Sequence, residues 1–251
     1  MIFVTGDIHG NARDRLNSNR FPEQLGLTKN DYLIICGDFG LIWDTEESDR
    51  EKKELDWLEG RSFTTLFIDG NHENFDRLEK FEEKIWNNGK VHEIRPGILH
   101  LERGQVFEID GKSVFTFGGA RSQDISDGVL EPGDLRIKFW SRDPYKYFRV
   151  RNVSWWEREM PSREEMDEGL ENLKKHDGKV DFIITHDMPS DKLVEYSMRM
   201  YGRKYNTDEL TDYLEGIETN TDYEHWFCGH HHDDYNLDNK HMVLYRSIIK
   251  L

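Results

Sequence analysis

Five segments of this sequence place aspartate, asparagine or histidine directly after a short apolar run, often with a glycine between them. The segments are Gly6-Asp7-Ile8-His9, Gly37-Asp38, Gly70-Asn71-His72-Glu73, His186-Asp187 and Gly229-His230-His231-His232. They offer carboxylate, amide and imidazole ligands and no thiolate. Such a set suits Mn, Fe, Zn or similar ions better than a cysteine-rich structural zinc site does. Any one segment is a weak signal, but five together predict a metal centre.

The spacing within two of the segments lets neighbouring side chains reach one ion. In extended backbone, residues i and i+2 point to the same side, which brings Asp7 and His9 together. His230 and His232 repeat this spacing after another apolar run. His231 then points the other way, and we expect it to be a surface residue that faces away from the pocket.

Three further side chains complete the predicted centre. Asp38 can bridge two cations through its two carboxylate oxygens. Asn71 is a neutral oxygen ligand, which limits the negative charge at the second ion, and His186 completes the set. The ligand inventory therefore predicts a site for two divalent metal ions.

The apolar runs before these ligands have the length of β-strands. We predict strands at residues 2–5, 31–36, 64–68, 181–185, 224–228 and 242–248, and helices at residues 46–58, 75–81, 162–176 and 207–217. Four more short strands are predicted between residues 91 and 117, where Asp110-Gly111 signals a hairpin. This order predicts an α/β fold in which two sheets pack face to face with helices outside.

Residues 120–162 match neither pattern, and we interpret them as an excursion inserted into the domain. The 251 residues otherwise suit a single large domain, 1–251. The helix at 162–176 begins with a capping box, because Ser162 stands at its N-cap and Glu165 follows three residues later.

Charge and composition exclude some classes of protein. The chain has 34 basic and 50 acidic residues, a net charge of −16, which argues against a general nucleic-acid binder. No apolar run approaches the ~20 residues of a membrane span, and no secretory signal is visible. Cys36 and Cys228 are expected to be buried thiols of a cytoplasmic protein. The sequence carries no signal for an oligomeric state.

The five segments resemble the pattern of the calcineurin-like metallophosphoesterases, which is D-x-H, G-D, G-N-H-[ED], an isolated H and G-H-x-H. All five blocks occur in order between Asp7 and His232. The resemblance implies a four-layer α/β/β/α sandwich of two mixed β-sheets. It also implies one ion on Asp7, His9, Asp38 and His232 and another on Asp38, Asn71, His186 and His230. Mn is the favoured metal, with Fe, Zn, Ni or Mg as alternatives.

The implied activity is hydrolysis of a phosphate ester. Two ions ~3.5–4 Å apart would clamp the phosphate oxygens and lower the pKa of a bridging water, and the resulting hydroxide would attack phosphorus in line. His72 adjoins Asn71 but lies outside the ligand set. It occupies the family position that assists the leaving group, and it is the candidate catalytic residue. Glu73 is expected to support a ligand or to hydrogen-bond a neighbouring group, and the alternative is a catalytic carboxylate.

The second block separates this chain from some branches of the family. Phosphoprotein phosphatases and dinucleoside-tetraphosphate hydrolases extend it to G-D-x-x-D-R-G, and the Asp-Arg pair is absent here. Residues 118–124 and 154–162, with the helix and the strand ending in Thr185-His186 that follow, instead resemble small bacterial and phage phosphoesterases, and this resemblance implies no particular substrate. Arg13 and Arg121 are candidates for binding substrate phosphate, and the alternative is that both are solvated surface residues.

Two stretches, residues 134–158 and 196–205, interleave basic and aromatic residues. Cations can bind phosphate while aromatic rings stack on a base, so this composition suits a nucleotide. The alternative is that the aromatic residues anchor the excursion to the core and the cations are ordinary surface groups.

Three functions follow from these observations. The first is hydrolysis of a phosphomonoester or phosphodiester, with a nucleotide-derived substrate as one option. The second is a nuclease or cyclic-nucleotide phosphodiesterase. The third is a non-catalytic metal-binding scaffold, which the complete ligand set and His72 argue against.

Overall fold

Runs rich in β-branched and aromatic residues form the strands of the computed structural model, which describes residues 1–251. The strands are β1 (Ile2–Thr5), β2 (Tyr32–Ile35), β3 (Thr64–Phe67), β4 (Glu83–Trp86), β5 (Gly89–Arg95), β6 (Ile98–Leu101), β7 (Gln105–Ile109), β8 (Lys112–Phe117), β9 (Gly128–Leu130), β10 (Phe148–Val150), β11 (Phe182–Thr185), β12 (His225–Cys228), β13 (Tyr235–Asn236), β14 (His241–Val243) and β15 (Ile248–Lys250).

Helices occupy most of the longer connections. They are α1 (Ala12–Arg15), α2 (Asp49–Glu59), α3 (Phe75–Leu78), α4 (Leu135–Trp140), α5 (Arg163–Lys175), α6 (Ser190–Tyr201) and α7 (Glu209–Asn220), with 3-10 helices at Pro22–Gly26 and Glu157–Glu159. The predicted capping box of α5 is confirmed, since the Ser162 side chain accepts from Glu165 N–H and the Glu165 side chain accepts from the N-cap backbone. None of the helices is both long and apolar enough to cross a bilayer.

The strands form two large mixed sheets. The first has the order β15-β1-β2-β3-β6-β5-β4, and the second has the order β13-β14-β12-β11-β8-β7. Neighbours among β1, β2, β3 and β6 run parallel, as do those among β14, β12, β11 and β8. The outer pairings are antiparallel.

The central parallel strands of the first sheet, β1, β2, β3 and β6, are buried on both faces, which explains their mostly apolar sequences. Val4, Ile34 and Leu66 point toward the second sheet and share a core with its side chains. Phe3 and Leu33 point outward and pack with residues of α1, α2 and α3. The second sheet packs its outer face against α5 and α7 in the same way. The four layers α/β/β/α are therefore present, and the predicted fold is confirmed.

The structure corrects two sequence-based predictions of elements. Residues 242–248 are not one strand, because β14 belongs to the second sheet and β15 to the first, and residues 244–247 connect the two. The helix α6 was not predicted. Its N-cap position is Pro189, which provides no side-chain hydrogen bond, so the usual start signal is missing.

The excursion at residues 120–162 contains α4 and a small parallel pair, β9 with β10. Trp156 anchors it, because this side chain is buried and its indole N–H donates to Asp76. Phe139 and Tyr145 are exposed instead. The expectation that aromatic residues anchor the excursion therefore holds for Trp156 and fails for these two.

Candidate metal centre

The parallel strands deliver the predicted ligands to one edge of the sandwich. In the first sheet Thr5 is in register with Ile35, and Ile35 with Phe67. In the second sheet Thr185 is in register with Cys228. The segments that follow these strands therefore leave the two sheets at the same level, and the side chains they carry meet above the core.

Four of the predicted ligands form one compact group. Ligand atoms of Asp7, His9, Asp38 and His232 all lie within 4.8 Å of one another. Nε2 of His232 is 2.8 Å from Nε2 of His9 and 3.1 Å from Oδ2 of Asp7. That oxygen is buried and accepts no hydrogen bond, so it lacks the donor that a buried carboxylate oxygen needs. A divalent cation is the partner that fits these converging atoms.

The remaining three ligands lie beside this group. Nε2 of His186 is 3.3 Å from Oδ1 of Asn71 and 3.4 Å from Oδ1 of Asp38. The rings of His186 and His230 have centroids 5.0 Å apart. Nδ1 of His186 donates to the Cys36 carbonyl oxygen at 2.7 Å, which directs Nε2 toward Asn71 and Asp38. The structure thus brings all seven predicted metal ligands together, and the binding of two cations that share Asp38 stays a prediction.

Glycines precede several ligands because there is no room for a side chain. A Cβ atom on Gly37 would lie 2.1 Å from Nδ1 of His186, and one on Gly70 would lie 2.1 Å from Oδ1 of Asp38. A Cβ on Gly229 would lie 2.3 Å from Oδ1 of Asp7. The recurrent glycine therefore allows close approach of one ligand loop to the side chain of another.

Four of the seven predicted ligands adopt a left-handed backbone conformation. His9, Asp38, His230 and His232 have φ values of 46°, 44°, 64° and 52°, in the left-handed region that side chains disfavour. Such conformations persist where the surrounding structure fixes them, and they cluster at functional sites. Two of these turns follow β12, so the i, i+2 pair at His230 and His232 is held by left-handed turns and not by extended backbone.

Burial and charge act on the buried imidazoles in opposite directions. Burial lowers the pKa of His230 to about 4. Burial also acts on His186, but the adjacent Asp38 and Asp7 carboxylates outweigh it and raise the pKa of His186 to about 10. A proton on His186 and a divalent cation are alternative ways of neutralising these carboxylates, so metal binding should displace this proton.

His72 lies at the mouth of this centre. Its backbone N–H donates to Oδ1 of Asp38 at 2.8 Å, and its ring lies between those of His9 and Trp43, with centroid distances of 5.2 and 5.6 Å. Burial lowers the pKa of His72. Glu73 is fully buried and accepts from the Gly40 N–H, which agrees with a supporting role.

A cleft of about 220 Å³ opens above the ligands. It is lined by Asp38, Asn71, His72, Gln123, Asp124, Tyr201, Tyr205, His230, His231 and His232. His231 is not the surface residue we expected. Its side chain is 4% exposed, and Nε2 lies 3.2 Å from Oδ1 of Asp187, because the turn after β12 directs the ring toward the second sheet.

The two predicted substrate arginines lie outside the ligand group. Arg13 is bound to α2 through Glu54 and the Lys53 carbonyl, and it does not line the cleft. Arg121 pairs with Asp208 and lines an adjoining cavity of about 380 Å³. Contact of either arginine with substrate stays a prediction.

Sequence reasoning missed the support of Asn71. Its Nδ2 donates to Oγ of Ser122 at 3.2 Å, and that hydroxyl donates to Oε2 of Glu159 at 2.6 Å. Ser122 and Glu159 are both buried and lie at the two ends of the excursion. They are 37 residues apart in the chain, so no local pattern links them.

Comparison with known proteins points to one family. The sequence profile of the calcineurin-like phosphoesterases matches residues 1–234. A lariat debranching enzyme from Drosophila melanogaster is 24% identical over an alignment covering 92% of this chain and 42% of that protein. One from Arabidopsis thaliana is 22% identical, covering 75% and 42%, and lariat debranching enzyme A of Xenopus laevis is 24% identical, covering 88% and 38%. The chain spans about two fifths of the length of these relatives.

Among solved structures, a phosphopantetheinyl hydrolase from Mycobacterium tuberculosis matches with a TM-score of 0.45 and 15% identity, covering 97% of this chain and 87% of that one. The family match contains all seven ligands and His72. The chain belongs to the calcineurin-like phosphoesterases.

Proposed function

We propose that this chain is a phosphodiesterase for a nucleotide-derived substrate, with a phosphomonoester as the alternative. The observation that carries the proposal is the convergence of seven ligands on two adjacent positions, with His72 beside them in an open cleft. The name of the matched relatives, lariat debranching enzyme, favours a nucleic-acid diester over a monoester.

We assign the first ion to Asp7, His9, Asp38 and His232 and the second to Asp38, Asn71, His186 and His230. Mn²⁺ is the metal we favour. When bound, the two cations would neutralise phosphate oxygens and supply a nucleophile from water. The neutral amide of Asn71 keeps the second position less negative than the first, which leaves it more attractive to an anionic substrate.

His72 is the residue we assign to the leaving group. Its backbone is fixed by Asp38, and its ring is held between His9 and Trp43 while one edge faces the cleft. From there the protonated imidazole can donate a hydrogen bond to the leaving oxygen and transfer its proton to that oxygen as the ester bond breaks, which leaves the ring neutral. A group placed this way typically contributes about 10²–10⁴-fold to the rate.

The test compares hydrolysis of bis-p-nitrophenyl phosphate and p-nitrophenyl phosphate by protein stripped with chelator and refilled with Mn²⁺, Zn²⁺ or Mg²⁺. We expect metal-restored turnover with the diester faster. Asp38→Asn should lose bound metal and turnover together. His72→Ala should keep two ions and lose about 10²–10⁴-fold in kcat.

A matched control is His176→Ala, because this histidine ends α5 and lies outside the cleft. It should behave as wild type. Faster hydrolysis of the monoester than of the diester would indicate a phosphatase and not a diesterase. Unchanged turnover in His72→Ala would remove the assigned role, and full activity in Asp38→Asn would overturn the metal centre itself.

A further inference from the structure

The cleft above the metal centre continues into a second cavity whose chemistry the hydrolytic mechanism does not use. Gln123 and Tyr205 line both spaces. The second cavity, about 380 Å³, is lined by Arg121, Arg203 and Lys204 among others. A ligand bound at the metal centre can therefore extend toward three cationic side chains.

A pair of tyrosines marks the junction of the two cavities. The rings of Tyr201 and Tyr205 are stacked, with centroids 5.4 Å apart and planes inclined by 12°. Tyr201 is 51% exposed, so its ring offers surface to a ligand. Both residues line the cleft with His72 and His230.

The tyrosine pair is built into the fold. Gly202 ends α6 in the left-handed conformation, with φ 66°, and turns the chain back so that Tyr205 lies over Tyr201. The backbone N–H of Tyr205 donates to Oγ of the buried Ser197 at 3.1 Å. A preformed aromatic surface loses little conformational entropy when it binds a ligand.

Arg203 and Lys204 differ from most basic residues of the excursion because they form no ion pair. Within residues 134–158, five of the seven basic side chains pair with carboxylates: Arg136, Lys146, Arg149, Arg151 and Arg158. Arg203 and Lys204 have no carboxylate partner within 4.0 Å, and Arg203 instead lies over the Tyr205 ring at 5.5 Å. Their charge is available to an anionic ligand.

The two carboxylates that line the second cavity are already engaged. Asp208 caps α7 by accepting from the N–H groups of Leu210 and Thr211, and it also pairs with Arg121. Asp187 is bound to His231. Neither carboxylate is therefore an ion-pair partner of Arg203 or Lys204, although the chain as a whole carries −16.

We infer that Tyr201, Tyr205, Arg203 and Lys204 form a nucleotide subsite for single-stranded oligonucleotides. One base stacks on Tyr201, and the phosphate next to the scissile one lies against Arg203 and Lys204. Base stacking on an aromatic platform with cations on the adjoining phosphate is a general way to hold single strands. This subsite rests on the proposed diesterase function and names its substrate class.

The first test measures binding, which does not require turnover. The full chain carrying His72→Ala is loaded with Mn²⁺, and its binding of fluorescein-labelled hexauridylate is followed by anisotropy across a salt series. Adding Arg203→Ala and Lys204→Ala should reduce the slope of log K against log salt by about 0.7, since the contact with one phosphate is lost. Adding Tyr201→Ala should weaken binding about 5- to 150-fold, whereas Tyr201→Phe should bind as the parent does.

The matched control is Lys138→Ala with Arg142→Ala. These two cations are also exposed and have no carboxylate partner, but they lie on the excursion. The control should leave affinity and salt slope unchanged. Equal effects of the two double variants, or no effect of Arg203→Ala with Lys204→Ala, would overturn the subsite.

The second test separates failure of the subsite from failure of the diesterase. Otherwise wild-type protein with Arg203→Ala and Lys204→Ala should hydrolyse bis-p-nitrophenyl phosphate at the normal rate and lose kcat/KM on hexauridylate. Normal rates of this double variant on both substrates would overturn the subsite while the proposed diesterase function still stands. Absence of diester hydrolysis in the wild type would remove the proposed function, and the binding series would still decide whether the subsite exists.

Discussion

The orientation of the Asn71 side chain depends on a chain of three hydrogen-bonding groups. A carboxylate can only accept hydrogen bonds, so the Ser122 hydroxyl must donate its single proton to Glu159. The same hydroxyl oxygen is then left to accept, and Nδ2 of Asn71 donates to it. Oδ1, the only metal-binding atom of the amide, is thereby directed toward His186.

Ser122→Ala removes the acceptor for Nδ2 and lets the amide rotate. The lost hydrogen bond contributes about 0.5–1.5 kcal/mol, and outer-shell partners of metal ligands are typically worth about 10–100-fold in affinity. We expect the ion held by Asn71, His186 and His230 to bind about 10-fold more weakly. The ion held by Asp7, His9 and His232 should be little affected, because Asn71 is not among its ligands.

The assay is a Mn²⁺ titration of the stripped protein that resolves the two binding steps. Ser62→Ala is a matched control, since this serine also donates to a buried acceptor, the Gln24 carbonyl oxygen, but precedes β3 at the opposite edge of the sheet. Ser62→Ala should show both Mn²⁺ binding steps with the affinities of the wild type.

A second variant tests the role of the charge on Glu159. In Glu159→Gln the side-chain amide can donate to the serine, which frees the hydroxyl proton to point toward Asn71. This variant should also weaken the second ion while Ser122 is intact. Two unchanged binding steps in both variants would refute the reasoning, and equal weakening of the two steps would show a general loss of structure instead.

Two further predictions concern packing and pH. Gly70→Ala would place a Cβ atom 2.1 Å from Oδ1 of Asp38, so this variant should lose bound metal and at least about 10²-fold in activity. In the control Gly60→Ala, the new Cβ would meet no atom closer than 3.5 Å, so metal content and rate should both stay as in the wild type. Metal analysis and rate measurement check both variants. Burial and Glu83 raise the pKa of Glu102 from 4.5 to about 7, so its stability contribution is full below pH 4.5 and is lost as pH rises toward 7. At pH 8 Glu102→Gln should therefore raise the free energy of unfolding by about 1–2 kcal/mol after solvent screening, which raises the melting temperature by about 2–6 °C. The difference from wild type should vanish near pH 4.5. A difference that is constant with pH would contradict this origin.

Sequence patterns predicted which seven side chains come together, because each motif is local. A glycine, a turn and a ligand within four residues indicate where the strand ends and that there is no room for another side chain beside the ligand. The alternation of Phe3 with Val4 and of Leu33 with Ile34 also specifies two buried faces. These features need only nearest neighbours, so the fold class and the seven-residue group could be predicted without coordinates.

The features that were missed depend on distant partners. Basic residues at 134–158 look like a phosphate surface until Asp124, Asp127 and Glu131, all earlier in the chain, are seen to pair with them. Residues 242–248 were predicted as one strand, although their two ends join different sheets. Local hydrophobic periodicity predicts which residues are buried, but it does not predict which element of the fold they pack against.

The pairing of β15 with β1 has a consequence for the order of folding. The first strand of the chain acquires its neighbour on one side only when the last strand arrives, and the ligands of the first ion extend from Asp7 to His232. Contacts so far apart in the chain close slowly, because the intervening segment must first be ordered. During synthesis Asp7 and His9 are therefore made long before His232, and we expect the first ion to bind only after the chain up to His232 has folded.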